Sequence, residues 1–448
     1  MKLSVYGGAG QIGGNKILLE DRDARLFLDM GEPFHFGEEY FIDYLRPRTS
    51  RFGLRDHFAL DLMPRIPGLY AQDQIEGTDL KYRKPEFSGV LISHIHWDHT
   101  NHLQYIDPEI PVHLGKGTKH ILDSWETTSG TLDLGEHAYR EHRTGDTLRL
   151  DGVDAEPIHV DHSAPAAYGY ILHTSEGVVA YTGDLRRHGP RGEFTDEFFT
   201  RAAKEKPLAL IIEGTKVAPG GGGEGSSESE VLKGAKAIST AAKGHLVVGT
   251  WYPRDIDRLR TFYQAAKATG RTCVLSAKSA HLLGTLAADP RIDAKKLITD
   301  DAVRVYFRDM VRPRPWEAEL QTIFKDRAVG SDWVRKHQGT VLLQLDFEQL
   351  TELIDIQPQP GGQFIHSKSE PFEEDEMQEE VLQHWLVRFG LRHHQLHASG
   401  HLSMEEVRQA IEQVDPEVVV PVHTEHPELF KDFHPKVRLP KNGATLSL

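Results

Sequence analysis

The stretch His94-Ile95-His96-Trp97-Asp98-His99 packs four metal-capable side chains into six residues. Imidazole and carboxylate donors suit zinc. They follow the apolar run Val90-Leu91-Ile92, bounded by Gly89 and Ser93, which reads as a short buried strand. From a loop, His94 and His96 can reach one ion, while Asp98 and His99 point elsewhere and suggest a second. A lone histidine among the 26 of this chain would be read as an ordinary core or surface residue. Four ligands in this order after a strand reverse that reading.

The same pattern recurs along the chain: apolar, strand-like runs end in a polar residue of catalytic type. Leu26-Phe27-Leu28 leads to Asp29, Pro157–Val160 to Asp161 and His162, and Val178–Tyr181 to Asp184. Leu208–Ile212 leads to Glu213, and Val418–Val420 to His423. A sheet that delivers its chemistry from one edge is expected. The strand ends supply enough ligands for two ions: His94, His96 and His162 on one, Asp98, His99 and His423 on the other, with Asp184 bridging. Two such cations roughly 3.5–4 Å apart lower the pKa of a shared water and clamp the oxygens of a displacement. Zinc is favoured, with manganese admitted where oxygen ligands dominate. Asp29 is expected to hold a ligand or the loop in place rather than bind metal.

The elements that must position these groups come from a chain of 448 residues, long enough for two domains. Its 39% hydrophobic and 27% charged composition suits a globular protein, and no apolar run reaches the roughly 20 residues of a membrane helix. Met1–Tyr6 runs directly into a strand without a signal-peptide pattern, so a cytoplasmic location is expected. The single Cys273 excludes an internal disulfide and a cysteine-based zinc site. A net charge of −15 argues against a nonspecific nucleic-acid coat protein but not against a nucleic-acid enzyme. Gly8-Ala9-Gly10-Gln11-Ile12-Gly13 matches a dinucleotide fingerprint, yet a strand rather than a helix follows, so turn glycines are the better account. Residues 33–85 read as an ordered surface excursion. Helices are expected at Arg254–Thr269, Met377–Phe389 and Met404–Val414, the last behind a capping box of Ser403 and Glu406. The acidic run Glu373–Glu376 is expected to start the second of these. Pro219–Ser227 is glycine-rich and expected to be a mobile loop beside the cleft.

Asp29, His94–His99, His162 in His162-Ser163-Ala164-Pro165 and Asp184 in Tyr181-Thr182-Gly183-Asp184 resemble the successive motifs of the metallo-β-lactamase fold. Glu213 in Ile212-Glu213-Gly214-Thr215, His401 in His397-Ala398-Ser399-Gly400-His401 and His423 in Pro421-Val422-His423-Thr424 resemble the three motifs of a β-CASP domain. Together the chain is similar to the β-CASP nucleases, most of all ribonuclease J and prokaryotic relatives lacking its C-terminal domain. The resemblance implies an α/β fold: an αββα sandwich with an α/β β-CASP domain inserted. Residues 1–214 and 391–448 would form the first domain and 215–390 the insert, with the active site between them.

What the resemblance implies for function is two-metal hydrolysis of RNA, leaving 5′-phosphate and 3′-hydroxyl ends. Histidine in the third motif, His423, goes with RNA in this family, and single-stranded RNA is the expected partner; a homodimer is admitted and no membrane is. The catalytic set becomes Asp98, Asp184, Glu213 and His401. His401 is the candidate general acid, oriented and kept protonated by Glu213. His397, Ser399 and Ser403, with Ser367-Lys368-Ser369, are expected to contact phosphates. Two departures stand out. The sequence stops at Leu448, shortly after the third motif, and Leu345-Asp346-Phe347-Glu348-Gln349 replaces a family glycine-rich segment. Competing readings are a DNA nuclease on the same scaffold, a small-molecule hydrolase, and a non-catalytic nucleic-acid-binding subunit.

Overall fold

The computed structural model describes residues 1–448 apart from 43, 131, 222–225, 370–375 and 447, and the side chain of Glu376. Most of the acidic run 373–376 and the centre of the 219–227 stretch therefore lie outside the described residues.

Three sheets organise the chain. The first is built from β1 (Lys2–Gly7), β2 (Lys16–Asp21), β3 (Ala24–Leu28), β4 (Gly89–Leu91), β5 (Val112–Gly115) and β6 (Tyr139–His142). The second comprises β7 (Leu148–Leu150), β8 (Val153–Val160), β9 (Ala167–His173), β10 (Val178–Tyr181) and β11 (Ala209–Glu213). A third, wholly parallel sheet follows: β12 (Val247–Thr250), β13 (Thr272–Ser276), β14 (Val303–Tyr306), β15 (Ala328–Val329), β16 (Val341–Gln344), β17 (Gly362–His366) and β18 (Leu391–Gln395). The chain then returns, placing β19 (Val418–Val422) beside β11 and β20 (Ala444–Leu446) beside β1. The first two sheets face each other. Leu3, Val5, Ile17 and Leu26 pack on Tyr170, Leu172, Val179 and Ile211 in one buried layer.

Helices cover the outer faces. Gly192–Glu205 and Met404–Val414 bury Phe198, Phe199, Val407 and Ile411 against β8, β10, β11 and β19. Met404–Val414 matches its expected bounds, and Ser403 and Glu406 form the capping box. The helices expected at Arg254–Thr269 and Met377–Phe389 run over Ile256–Ala268 and Glu376–Arg388. Residues 33–85 do not merely skirt the surface. Leu54, Phe58, Met63, Leu69 and Tyr70 sink into the core over β2–β5.

Two expectations need correcting. The chemistry-bearing strand ends belong to two facing sheets, β3 and β4 in one and β8, β10, β11 and β19 in the other, not to a single edge. And Leu391–Gln395 pairs in parallel with β17, so this strand, beyond the expected boundary at 390, belongs to the third sheet. The motif after β18 disguised this boundary, since it is the segment behind the strand that returns.

The glycine-rich turn after β1 is a brace, not a dinucleotide loop. Gly13 and Gly14 adopt left-handed φ of 77° and 74°, and Gly14 N–H donates to the Asp98 carbonyl at 2.9 Å. A Cβ on Gly31 would stand 1.6 Å from that same carbonyl oxygen. Beneath the brace lies buried Lys16, whose Nζ donates to the carbonyls of Gly31 (2.6 Å) and Gly14 (3.2 Å). Burial pushes its pKa down to about 7, against the opposing pull of Glu32.

Candidate active site

The two sheets bring the strand-end residues into contact. His94, His96 and His162 form one group, and Asp98, His99, Asp184 and His423 a second, with donor atoms within 4.8 Å of one another in each. In the first group His94 Nε2 and His162 Nε2 lie 3.0 and 3.1 Å from His96 Nδ1. Their outward nitrogens are already engaged. His162 Nδ1 donates to the Gly400 carbonyl at 2.6 Å, and His94 Nδ1 meets Ser93 Oγ at 3.0 Å. That fixes the tautomers and leaves Nε2 lone pairs converging inward. Burial, reinforced by the neighbouring imidazoles, holds the pKa of His94 and of His162 well below the usual histidine value, so both are neutral donors.

In the second group Asp184 Oδ2 stands 3.1 Å from His99 Nε2 and 3.4 Å from His423 Nε2, while His423 Nε2 lies 3.1 Å from Asp98 Oδ2. The same Asp184 oxygen is 3.8 Å from His94 Nε2, so Asp184 stands between the groups. Its Oδ1 is buried without a hydrogen-bond partner among the described residues. An orphaned carboxylate oxygen costs several kcal/mol unless a cation completes it. Converging neutral imidazoles, a bridging aspartate and that orphan oxygen fit a pair of divalent cations.

Asp29 secures this centre from behind. It sits in the left-handed region (φ 59°), fully buried at the end of β3. Its Oδ1 accepts from Ser93 N–H at 2.7 Å. Its Oδ2 accepts from Ser93 Oγ at 2.8 Å, His99 Nδ1 at 2.7 Å and the Tyr181 hydroxyl. Trp97, inside the histidine motif, sets its ring edge-to-face against Phe34 at 5.2 Å.

Glu213 and His401 stand beside the second group. Glu213 is buried, and its oxygens accept from the backbone N–H groups of Thr215 (2.8 Å) and Leu402 (3.1 Å). Its Oε2 lies 3.5 Å from His401 Nδ1. Burial disfavours charge on His401, but the Glu213 carboxylate overrides it and raises the pKa above the usual value, aided by Asp184. Thr215 Oγ1 links the two halves, 2.8 Å from His423 Nδ1 and 3.0 Å from His401 Nδ1. Thr215 had a sequence signal in its place two residues after Glu213, but nothing there gave it a role.

The segment before His401 is held by three successive carbonyls. Ala398 O accepts from Arg258 at 3.1 Å, Ser399 O from His188 at 2.9 Å and Arg186 at 3.4 Å, and Gly400 O from His162. Both arginines are fully buried, Arg258 against Glu228 of the insert and Arg186 against Asp161 of the first domain. Arg186 also reaches Asp257 of the insert at 3.6 Å.

The residues expected to contact phosphates fare differently. Ser367 is buried and receives Arg258 Nη1 at 2.7 Å, and Ser403 caps its helix. His397 Nδ1 lies 3.5 Å from Arg258, and Ser399 Oγ accepts from His401 N–H at 3.2 Å. Lys368 pairs with Asp346 at 3.3 Å, and Ser369 Oγ is 3.5 Å from the Tyr252 hydroxyl.

This geometry can be set beside known proteins. A profile described as a beta-lactamase superfamily domain matches residues 66–215. Ribonuclease J of Sinorhizobium meliloti is 25% identical over 89% of this chain and 70% of its own length. Ribonuclease J of Pyrococcus abyssi is 24% identical over 95% and 90%. The chain is thus similar to the beta-lactamase superfamily over residues 66–215 and to ribonuclease J proteins over most of its length. Its similarity to this domain and to ribonuclease J supports a metal-dependent hydrolase. Ribonuclease J of Synechocystis is 24% identical over 96% of this chain, which spans 61% of that relative's length. A crystal structure of a protein of unknown function from Enterococcus faecalis V583 shares the fold, with a TM-score of 0.78 over 100% of this chain and 99% of that one at 24% identity. No helix among the described residues is long and apolar enough to cross a membrane.

Proposed function

We propose that the protein is a ribonuclease that hydrolyses RNA phosphodiester bonds to 5′-phosphate and 3′-hydroxyl ends, using two zinc or manganese ions. The observation that carries this reading is a histidine–carboxylate pair beside two adjoining clusters of side chains that could hold metal ions. His401 Nδ1 faces Glu213 while its ring lies 5.3 Å from that of His162 and 5.6 Å from that of His423. His94, His96 and His162 would hold one cation and Asp98, His99 and His423 the other, with Asp184 between them. When bound, the cations would activate water as nucleophile and neutralise charge on the phosphoryl oxygens.

The chain's own groups supply the rest. Departure of a 3′ alkoxide needs a proton, and His401 is positioned to give it from Nε2, the nitrogen turned away from Glu213. Glu213, pinned by two backbone amides, holds the imidazole in orientation and favours its charged form. A small-molecule hydrolase has no need of this second, acidic half. The ribonuclease J relatives support RNA as the substrate, and the resemblance of the His423 motif points the same way.

The test compares RNA with DNA of the same sequence, and wild type with His401→Ala. RNA cleavage in His401→Ala should fall by roughly 10²–10⁴-fold. Hydrolysis of bis(p-nitrophenyl) phosphate, whose leaving group needs no proton, should fall far less. Equal losses on both substrates would refute the acid assignment. Faster cleavage of DNA would refute RNA.

A further inference from the structure

A cavity of about 420 Å³ lies at the seam between the domains. One wall is the helix Lys116–Ser129 of the first domain, through Ile121, Ser124 and Trp125; the other is formed by segments that follow β12, β13, β14, β16 and β17 of the insert. Carboxyl ends of the strands of an open parallel sheet are where such sheets receive ligands. The decisive residue is Arg254, just beyond β12.

The buried arginines of the insert are saturated, whereas Arg254 is half-buried. Arg258 reaches Glu228, Ser367 and Ala398, and Arg271 donates to four backbone carbonyls. Arg254 has no hydrogen bond or ion pair among the described residues. Its Nε is sealed from solvent and unpartnered, and its guanidinium lies flat over Trp125, 3.7 Å from the ring centroid. Its charge reaches the metal-site residue His96. Asp346 lines the same cavity but is committed to Lys368. A cation partly withdrawn from water without a partner is disfavoured, and a stacked guanidinium still presents its edge donors to an anion. Beside it, Tyr252 is 46% exposed and Lys278 is on the rim without an ion pair among the described residues.

We propose that Arg254, backed by Trp125, is a substrate-binding residue that takes a backbone phosphate of a single-stranded nucleic acid, with Tyr252 offering its ring to a flanking base. This deepens the nuclease reading and rests on it, because it extends the substrate from the metal centre along the domain seam. Aromatic rings interleaved with cations are how proteins follow a single strand without reading its sequence.

The test separates binding from chemistry. Binding of a fluorescein-labelled single-stranded RNA 12-mer to the full chain in EDTA is followed by anisotropy across a salt series. Arg254→Met, which keeps the apolar stem on Trp125, should weaken binding by at least about tenfold. It should also lower the slope of log Kd against log salt by about 0.7, and Arg254→Lys should recover part of both. Since an unpaired cation is being removed, the melting temperature of Arg254→Met should stay level or rise. An unchanged Kd and salt slope would overturn the proposal. A melting temperature several degrees lower would also do so, by showing a structural arginine. RNA cleavage with zinc or manganese is measured alongside. If the wild type cleaves RNA but Arg254→Met binds it equally well, this inference alone fails, whereas absence of cleavage by the wild type sinks the nuclease reading.

Discussion

The substitution Asp29→Asn isolates what the carboxylate behind the metal centre contributes. Asparagine tolerates the left-handed φ of 59° at this position, so the backbone is not the variable. Asp29 is buried and accepts four hydrogen bonds, one at Oδ1 and three at Oδ2. In the best orientation the amide oxygen of the introduced asparagine replaces Oδ2 and its NH2 replaces Oδ1. That NH2 then faces Ser93 N–H, donor against donor, and both are left unsatisfied. Two buried polar groups at about 1–3 kcal/mol each give a loss of roughly 2–6 kcal/mol. The Ser93 N–H bond also fixes the residue before His94, and His99 loses a charged acceptor. Zinc affinity should therefore fall by about 10–100-fold. Urea unfolding of the metal-free protein measures the first quantity, and competition for zinc against a chromophoric chelator measures the second. An Asp29→Asn variant that unfolds within about 0.5 kcal/mol of wild type and binds zinc equally well would refute the reasoning.

Gly31→Ala should lower stability by about 3 kcal/mol or more, because the new methyl group meets the backbone oxygen of Asp98; a wild-type urea midpoint would contradict the brace. Lys16 loses its proton at about pH 7 in the folded protein but near its ordinary value of 10.5 when unfolded. Between those values the unfolded chain binds more protons, so this group makes stability rise with pH by up to roughly 5 kcal/mol, with no contribution to the slope below the window. Lys16→Met should flatten that rise, read as urea midpoints from pH 7 to pH 10; parallel curves would remove Lys16 as the cause. Zinc at a hundredfold excess over its Kd should stabilise the chain by about 2.7 kcal/mol, reversibly with EDTA. Asp184→Asn should abolish most of that gain, and a full zinc shift in the variant would take Asp184 out of the ligand set.

What could be read from the sequence was local. Val90-Leu91-Ile92 followed by His94 announces a strand delivering ligands, and Ser403 with Glu406 announces a helix start, because each signal lies within a few residues. The clustering of the seven proposed ligands with Glu213 and His401 follows the same signals, each residue closing a strand or turn. The partition into two sheets was not, since an apolar run looks the same in either. Nor were the partners of Asp29, because Tyr181 lies 152 residues away. Arg258 meets Ala398 across 140 residues, and no pattern in Ile256-Asp257-Arg258 forecasts it. Ser367 illustrates the converse: as a residue type it suited phosphate, but burial commits its hydroxyl to Arg258 and the Leu396 carbonyl.

The three carbonyls ahead of His401 have a consequence for how a strand can enter. Opening the seam would strip Arg186 from Asp257 and would part the 397–400 segment from either Arg258 or Arg186 and His162. Buried charges would lose their partners together, at a cost far above that of a surface hinge. The seam is therefore braced at the 397–400 segment rather than hinged there. On the proposed nuclease reading, a single strand would thread or slide into this braced seam, and a bulky fold in it would be stopped at the rim.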